Sequence, residues 1–348
     1  MHRQQPLRWL IFLFFTLLPA LSYADRDYDR MVVFGDSLSD PGNAYYLLGT
    51  ALTPPYETLD ALLVPDAPYS IGGHHFSDGP TWIEQLARAL ELKASARPVF
   101  ASSSNGHKRN SNYAVGGARA RNNGGGFDFT DQVNIYLSQT SGIQDKRTLT
   151  VIEFGSNDVR DAIAAFAVDP SGGASAMILT EALTAISDNI LSLYAHGNRE
   201  LLITNTPDLS LTPAIRTLDL LSPGAALGAA MISVQFNAGL DGLIAQLQAQ
   251  LPDLTITKFD LYQGLLDIVS DPQHYGLGNA TDACLMPNTP PYSCTVPKRY
   301  LFWDGIHPTK RGHAIFAQFA RSVLIPEEHE WKSHHCRREH SRREACRR

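Results

Sequence analysis

Arg30-Met-Val-Val-Phe-Gly-Asp-Ser-Leu-Ser-Asp-Pro-Gly-Asn43 opens with a short apolar run that Gly35 ends at once, as a buried strand running into a turn does. The pattern recurs downstream. Residues 149–154 read as a second strand stopping at Gly155, residues 200–204 as a third closing at Pro207, and residues 254–259 as a fourth. Helical patterns lie between and after them. Residues 81–92 place Trp82, Ile83, Leu86 and Leu90 on one face; residues 178–194 end at Gly197; residues 225–251 stop at Pro252; residues 310–324 close the series. Strands alternating with helices predict parallel pairing and a sheet covered on both faces. The expected architecture is one three-layer α/β/α sandwich with a mainly parallel sheet.

In such folds functional groups gather at the carboxyl ends of the strands. Three polar clusters fall where strands stop: Gly35-Asp-Ser37, Gly155-Ser-Asn-Asp158 and Asn205-Thr-Pro-Asp208. Residues 45–75, 98–112 and the Gly-rich 122–127 read as insertions. The insertion 45–75 and the loop 284–294 are expected to bound a pocket at that edge.

The 348-residue chain divides into three parts. Residues 1–24 read as a secretory leader: Arg3 and Arg8 precede an apolar run over 9–18, and Ser22-Tyr-Ala24 offers a small-x-small cleavage site. Residues 25–326 form the domain, and 327–348 a basic tail outside the core. After the leader, no stretch reads as long and apolar enough to span a membrane. The net charge of −6 becomes −8 without the two leader arginines. Residues 333–348 hold six Arg and two Glu, which leaves an acidic body of −12. That body argues against nucleic acid as a partner; the tail arginines offer a transient contact with an anionic membrane surface. Oligomeric state is not legible.

Four cysteines allow three pairings. Cys284 and Cys294 bracket a Pro-rich loop and close a local disulfide in an oxidising compartment, with free thiols as the alternative. Cys336 and Cys346 lie in the tail with His334, His335 and His340, at no recognised metal-ligand spacing. His74-His75 reads as loop surface, and Asp158 with Asp161 as helix-start acids rather than a glycosidase pair.

A serine hydroxyl is a poor nucleophile until an imidazole removes its proton, and that imidazole needs an acid to fix its tautomer. The tetrahedral oxyanion needs preorganised donors. Ser37 follows strand and glycine, though a serine there is most often only a helix cap. Asp304 and His307 lie in Trp303-Asp-Gly-Ile-His-Pro308, close enough to project from one loop, with Gly305 letting the backbone turn. Asn157 offers an amide at a strand end, and Gly116-Gly117 backbone donors.

Together these pieces resemble the GDSL, or SGNH, lipases and esterases. Phe34 to Asn43 is similar to the first block of that family, Phe76-Ser-Asp-Gly-Pro-Thr-Trp82 to the next, Asn112 to Ala118 to the glycine block, Gly155 to Asp158 to the Gly-x-Asn-Asp block, and Leu301 to Pro308 to the last. All stand in family order over residues 31–324. Pro41, where Thr is frequent, and Asp78, where Asn is common, depart from it. The resemblance implies a flavodoxin-like fold, Ser37 as nucleophile, His307 as base and Asp304 as its orienter. It implies an oxyanion hole of the Ser37 amide, a glycine amide and the Asn157 side chain. Counting from Asn112 favours Gly117 over Gly116. No metal or organic cofactor is required. An ordinary α/β-hydrolase is rejected, because Ser39 stands where Gly-x-Ser-x-Gly needs glycine.

Export and a resemblance of Phe34 to Asp40 to the bacterial secreted lipolytic branch imply lipid esters, cleaved by a phospholipase or lysophospholipase, or transferred by an acyltransferase. Short-chain carboxylester or polysaccharide deacetylase activity is the second reading. A non-catalytic secreted binding protein on the same fold is the third; a broken triad would mark it.

Overall fold

A computed structural model of the chain describes residues 28–101, 110–140 and 147–325. The leader and the tail lie outside the described residues. In chain order the elements are β1 (Arg30–Gly35), α1 (Asn43–Leu48), α2 (Trp82–Ala89), α3 (Phe129–Gln139), β2 (Thr148–Glu153), α4 (Ser156–Val168), α5 (Gly173–Ala195), β3 (Glu200–Thr204), α6 (Pro213–Leu221), α7 (Ala225–Gln250), β4 (Thr255–Phe259), α8 (Leu261–Ser270), β5 (Asn279–Ala283), β6 (Tyr300–Phe302) and α9 (Lys310–Leu324).

The central sheet is parallel throughout, in the order β1-β2-β3-β4. An irregular stretch extends it past β1: Val33 donates to the Ser111 carbonyl, and Tyr113 and Val115 donate to the carbonyls of Val33 and Gly35. Counted as the second strand in the chain, this stretch gives the spatial order 2-1-3-4-5, the flavodoxin-like winding whose ligand crevice opens where the order reverses. The chain leaves β1 to one side and returns on the other, so the carboxyl end of β1 faces that crevice.

Alternation along each strand builds two cores. Val32 and Phe34 join Ile152, Leu201 and Ile203 beneath α3, α4, α5 and α7. Met31 and Val33 join Leu149, Val151 and Leu202 beneath α2, α8 and α9. This is the expected three-layer α/β/α arrangement. β5 and β6 form a separate parallel pair.

Two expectations need correction. The helix read over 178–194 begins at Gly173, because Ser175 and Leu179 are already buried there. The expectation that no later stretch is long and apolar enough to span a membrane fails on composition: α5 and α7 hold 23 and 26 residues with a mean hydropathy of 1.2 over their best windows. Both nevertheless pack one face on the sheet, through Leu179, Ile186 and Ile190 in α5 and Phe236, Leu240 and Leu247 in α7.

Candidate active site

Ser37 stands two residues past Gly35, the end of β1, on a corner pinned by its neighbours. The Asp36 carboxylate accepts from Leu38 N (3.0 Å) and from Asn157 Nδ2 (3.0 Å), and its carbonyl accepts from Ser39 N. Gln132 of α3 clasps Gly35 from both sides, accepting from its N–H (3.0 Å) and donating to its carbonyl (2.8 Å). Glu153, at the end of β2, accepts from Ser39 Oγ at 3.0 Å. Asp36 and Glu153 are both buried, and burial raises both carboxyls. Glu153 rises well above its ordinary range, first from burial and then from the charge of Asp36. The corner is thereby tied to two adjacent strands and a helix.

The second component lies between β6 and α9. His307 Nε2 is 2.8 Å from Ser37 Oγ, and His307 Nδ1 is 2.8 Å from Asp304 Oδ2. Asp304 is fully buried, and its other oxygen accepts from the Ile306 and His307 amides (2.9 and 2.7 Å). An acceptor-only carboxylate fixes the ring proton on Nδ1, which leaves Nε2 to accept from the serine hydroxyl. Trp303 N donates to the His307 carbonyl at 2.8 Å, closing the loop on itself. Gly305 is required by close approach: a Cβ there would lie 1.9 Å from the Leu62 carbonyl oxygen. The reading of Gly305 as a turn residue is refined accordingly. The Phe76–Trp82 block supports this loop, with Phe76 against the His307 ring (5.4 Å), Ser77 Oγ donating to the Pro308 carbonyl, and Asp78 accepting from Lys310 N.

Tyr69 was not among the predicted site residues. Its hydroxyl donates to Asp304 Oδ2 at 2.8 Å, and burial followed by the Asp304 charge raises its pKa well above the ordinary value. Tyr69 packs edge-on against Trp303 and Tyr56 within a small core that includes Leu285 and the Cys284–Cys294 disulfide. Nothing local marks a pairing across 235 residues. Glu153 was also missed, although a carboxylate ending an apolar run was a readable signal.

Asn157 is the second residue of α4. Gly155 starts that helix at φ +118°, and a Cβ on it would lie 2.4 Å from the Phe236 ring. The Asn157 amide nitrogen donates to Asp36 Oδ2 and to the Ala118 carbonyl (2.9 Å), so both hydrogens have acceptors and service to an oxyanion requires sharing one. Gly116 N is committed to Asp40 Oδ2 at 2.8 Å. Among the described residues, neither Ser37 N–H nor Gly117 N–H has an acceptor. Arg119 donates to the Gly117 carbonyl and pairs with Asp161 (2.9 and 3.0 Å), while Asp158 accepts from Ala120 N at 2.8 Å. Burial pushes Asp158 up to about 7. Asp158 and Asp161 therefore brace the glycine loop.

Ser37, Asn157 and His307 open onto one cavity of about 590 Å³, within the range of small-molecule sites. Its walls are apolar, with Val64, Ile163, Phe166, Leu209, Leu218 and Leu265 among them. Leu62 and Val64 bring the insertion 45–75 to that wall, as expected. The loop 284–294 is absent from the wall among the described residues; it supports Asp304 from behind through Trp303 and Tyr69. The third polar cluster is structural: Asn205 donates to Asp260, Thr206 N to Asn237, and Asp208 accepts from Ser210 N. His74 and His75 differ from the surface reading. His74 stacks on Tyr45, whereas His75 is buried between the Gly72 carbonyl (2.9 Å) and Glu84 (2.8 Å).

Comparison with known proteins places this geometry. A GDSL esterase/lipase of Arabidopsis thaliana is 30% identical over 87% of each chain, and a second from that plant, named LIP-4, is 25% identical over 83% of this chain and 84% of its own. Such plant relatives give no support to the bacterial branch expected from Phe34 to Asp40. Among solved structures, the acetylxylan esterase Axe2 of Geobacillus stearothermophilus is similar at 13% identity and a TM-score of 0.44, covering 85% of this chain and 94% of that one. The model of the GDSL-like lipases and acylhydrolases matches residues 31–319, from β1 into α9, and the chain belongs to that family.

Proposed function

We propose that the chain hydrolyses carboxylic esters through an acyl-enzyme on Ser37, and that the acyl group is that of a lipid. The observation that carries the reading is the Asp304–His307–Ser37 hydrogen-bond chain at 2.8 Å per link, opening onto an apolar cavity. His307 Nε2 takes the Ser37 Oγ proton as Oγ bonds to the ester carbonyl carbon, and Asp304 steadies the imidazolium. The oxyanion faces the Ser37 and Gly117 amides, with Asn157 as third donor; the commitment of Gly116 N to Asp40 supports Gly117 for that place. Collapse breaks the bond to the alcohol oxygen, which receives the proton from Nε2. Water then attacks the acyl-enzyme, His307 takes its proton and returns it to Ser37 Oγ, and the carboxylic acid leaves. An alcohol in place of that water would give acyl transfer.

The cavity favours a long acyl chain over acetyl, since each buried methylene contributes about 0.8 kcal/mol. Leu227, Met231 and Val234 form an exposed stripe on α7, with Leu220, Leu221 and Val168 exposed at the ends of α6 and α4. This surface supports transient contact with lipid. The leader-like residues 1–24 and the Cys284–Cys294 bridge support export, with residues 25–326 as the hydrolase domain.

A fluorophosphonate should label Ser37 stoichiometrically, and the protein should release fatty acid from mixed phospholipids faster than acetate from acetylated sugars. Absence of labelling would remove the nucleophile and revive a binding protein; release of acetate alone would establish the deacetylase.

A further inference from the structure

One face of α4 runs along the cavity, through Ser156, Asn157, Arg160, Ile163, Ala164 and Ala167. Arg160 stands three residues beyond Asn157, a rise of about 4.5 Å along the helix, so it lies one turn from the amide beside Ser37. Among the described residues lining the cavity, only Asp36, Arg160 and His307 are ionisable. Asp36 is committed to Leu38 N and Asn157, and His307 to Ser37 and Asp304.

Arg160 has no such commitment. It is partly buried, and it forms no hydrogen bond or ion pair with another described residue. Its neighbours on the same side differ: Arg119 is bidentate to Asp161, and Arg121 also reaches Asp161, at 2.6 Å. Asp161 is therefore occupied, and it acts on Arg160 only through space, as does Asp36. Burial, followed by the charge of Arg119, lowers the Arg160 pKa. An unpaired guanidinium beside apolar walls is costly, and its planar fork matches phosphate and carboxylate oxygens.

We propose that Arg160 binds an anionic substituent, phosphate or carboxylate, carried within about one helical turn of the scissile ester, so that the site selects acyl esters of acidic alcohols over those of neutral ones. The assignment rests on the ester-hydrolase reading of the same cavity. The acyl chain lies along the apolar wall while the acidic group on the alcohol side meets the guanidinium.

The octanoyl esters of glycerol, glycerol 3-phosphate and glyceric acid share one scissile bond and differ only in the substituent. The protein should show a KM at least roughly tenfold lower for one or both acidic esters than for the glycerol ester, the scale of a charge-assisted hydrogen bond. Arg160→Gln should collapse that ratio, and Arg160→Lys should keep part of it. The phosphate and glycerate arms separate the two sources of the anion. Equal KM values in the unaltered protein, or a ratio unmoved by Arg160→Gln, overturn the proposal. Calorimetric binding of the glycerol phosphate ester to Ser37→Ala protein, with and without Arg160→Gln, needs no turnover. A tenfold weakening on removing Arg160 supports the proposal even if the unaltered protein is inactive, an outcome that strikes the hydrolase reading alone; equal affinities reject the anion site.

Discussion

Ser37 and Asp304 sit at opposite ends of one hydrogen-bond chain and are held by different means. The Ser37 corner is fixed by the sheet: Gln132 and Glu153 tie it to α3 and β2, and both cores press on β1 from either face. Asp304 is fixed by excursions from the sheet: Tyr69 and the Leu62-Leu63 backbone come from the insertion 45–75, and Trp303 rests on the disulfide-bonded loop. One end inherits its position from the fold, and the other from segments that the fold leaves free to vary.

The largest test is at the shared centre. Ser37→Ala should abolish turnover of a chromogenic acyl ester while circular dichroism stays unchanged; residual turnover near normal would break the chain at its first link. Asp304→Asn should lower kcat by about 10⁴, because the amide can stabilise the wrong tautomer of His307. Asn157→Ala should lower kcat by about 10²–10³, the effect of one oxyanion donor, and a near-normal rate would confine Asn157 to its bonds with Asp36 and Ala118. Tyr69→Phe removes one of the four hydrogen bonds to Asp304 and should lower kcat about three- to tenfold with KM little changed. The smallest effect on rate belongs to the bridge: replacing Cys284 and Cys294 with serine should lower stability by about 2.5–3 kcal/mol, read as a lower Tm, while kcat falls only a few-fold. If that double variant instead lowered kcat as far as Asp304→Asn, the bridge would be part of the acid's positioning and the contrast between the two ends would sharpen.

The same contrast explains what the sequence disclosed. Ser37 and Asn157 follow strand ends closed by glycine, and Asp304 and His307 share one short loop, so each carries a local signature. β3 and α9 form where read because their apolar periods and breakers are local too. Tyr69 has none: its partner lies across the whole chain, and only packing around Trp303 brings them together. α3 is faint in the sequence although Phe129, Val133 and Tyr136 recur at helical spacing, because the polar residues between them dilute the period. Asn157 was legible as a residue but not in its bonding, since the Ala118 carbonyl that holds it comes from a different segment.

The insertion that carries Tyr69 also supplies Leu62 and Val64 to the cavity wall and the Leu63 carbonyl as acceptor to Gly305 N. Whatever fills the cavity therefore leans on the strap that steadies the acid. On the proposed function, grafting a relative's version of residues 45–75 to alter substrate choice would change the width of the cavity and the setting of His307 in a single stroke, coupling selectivity to speed through that segment.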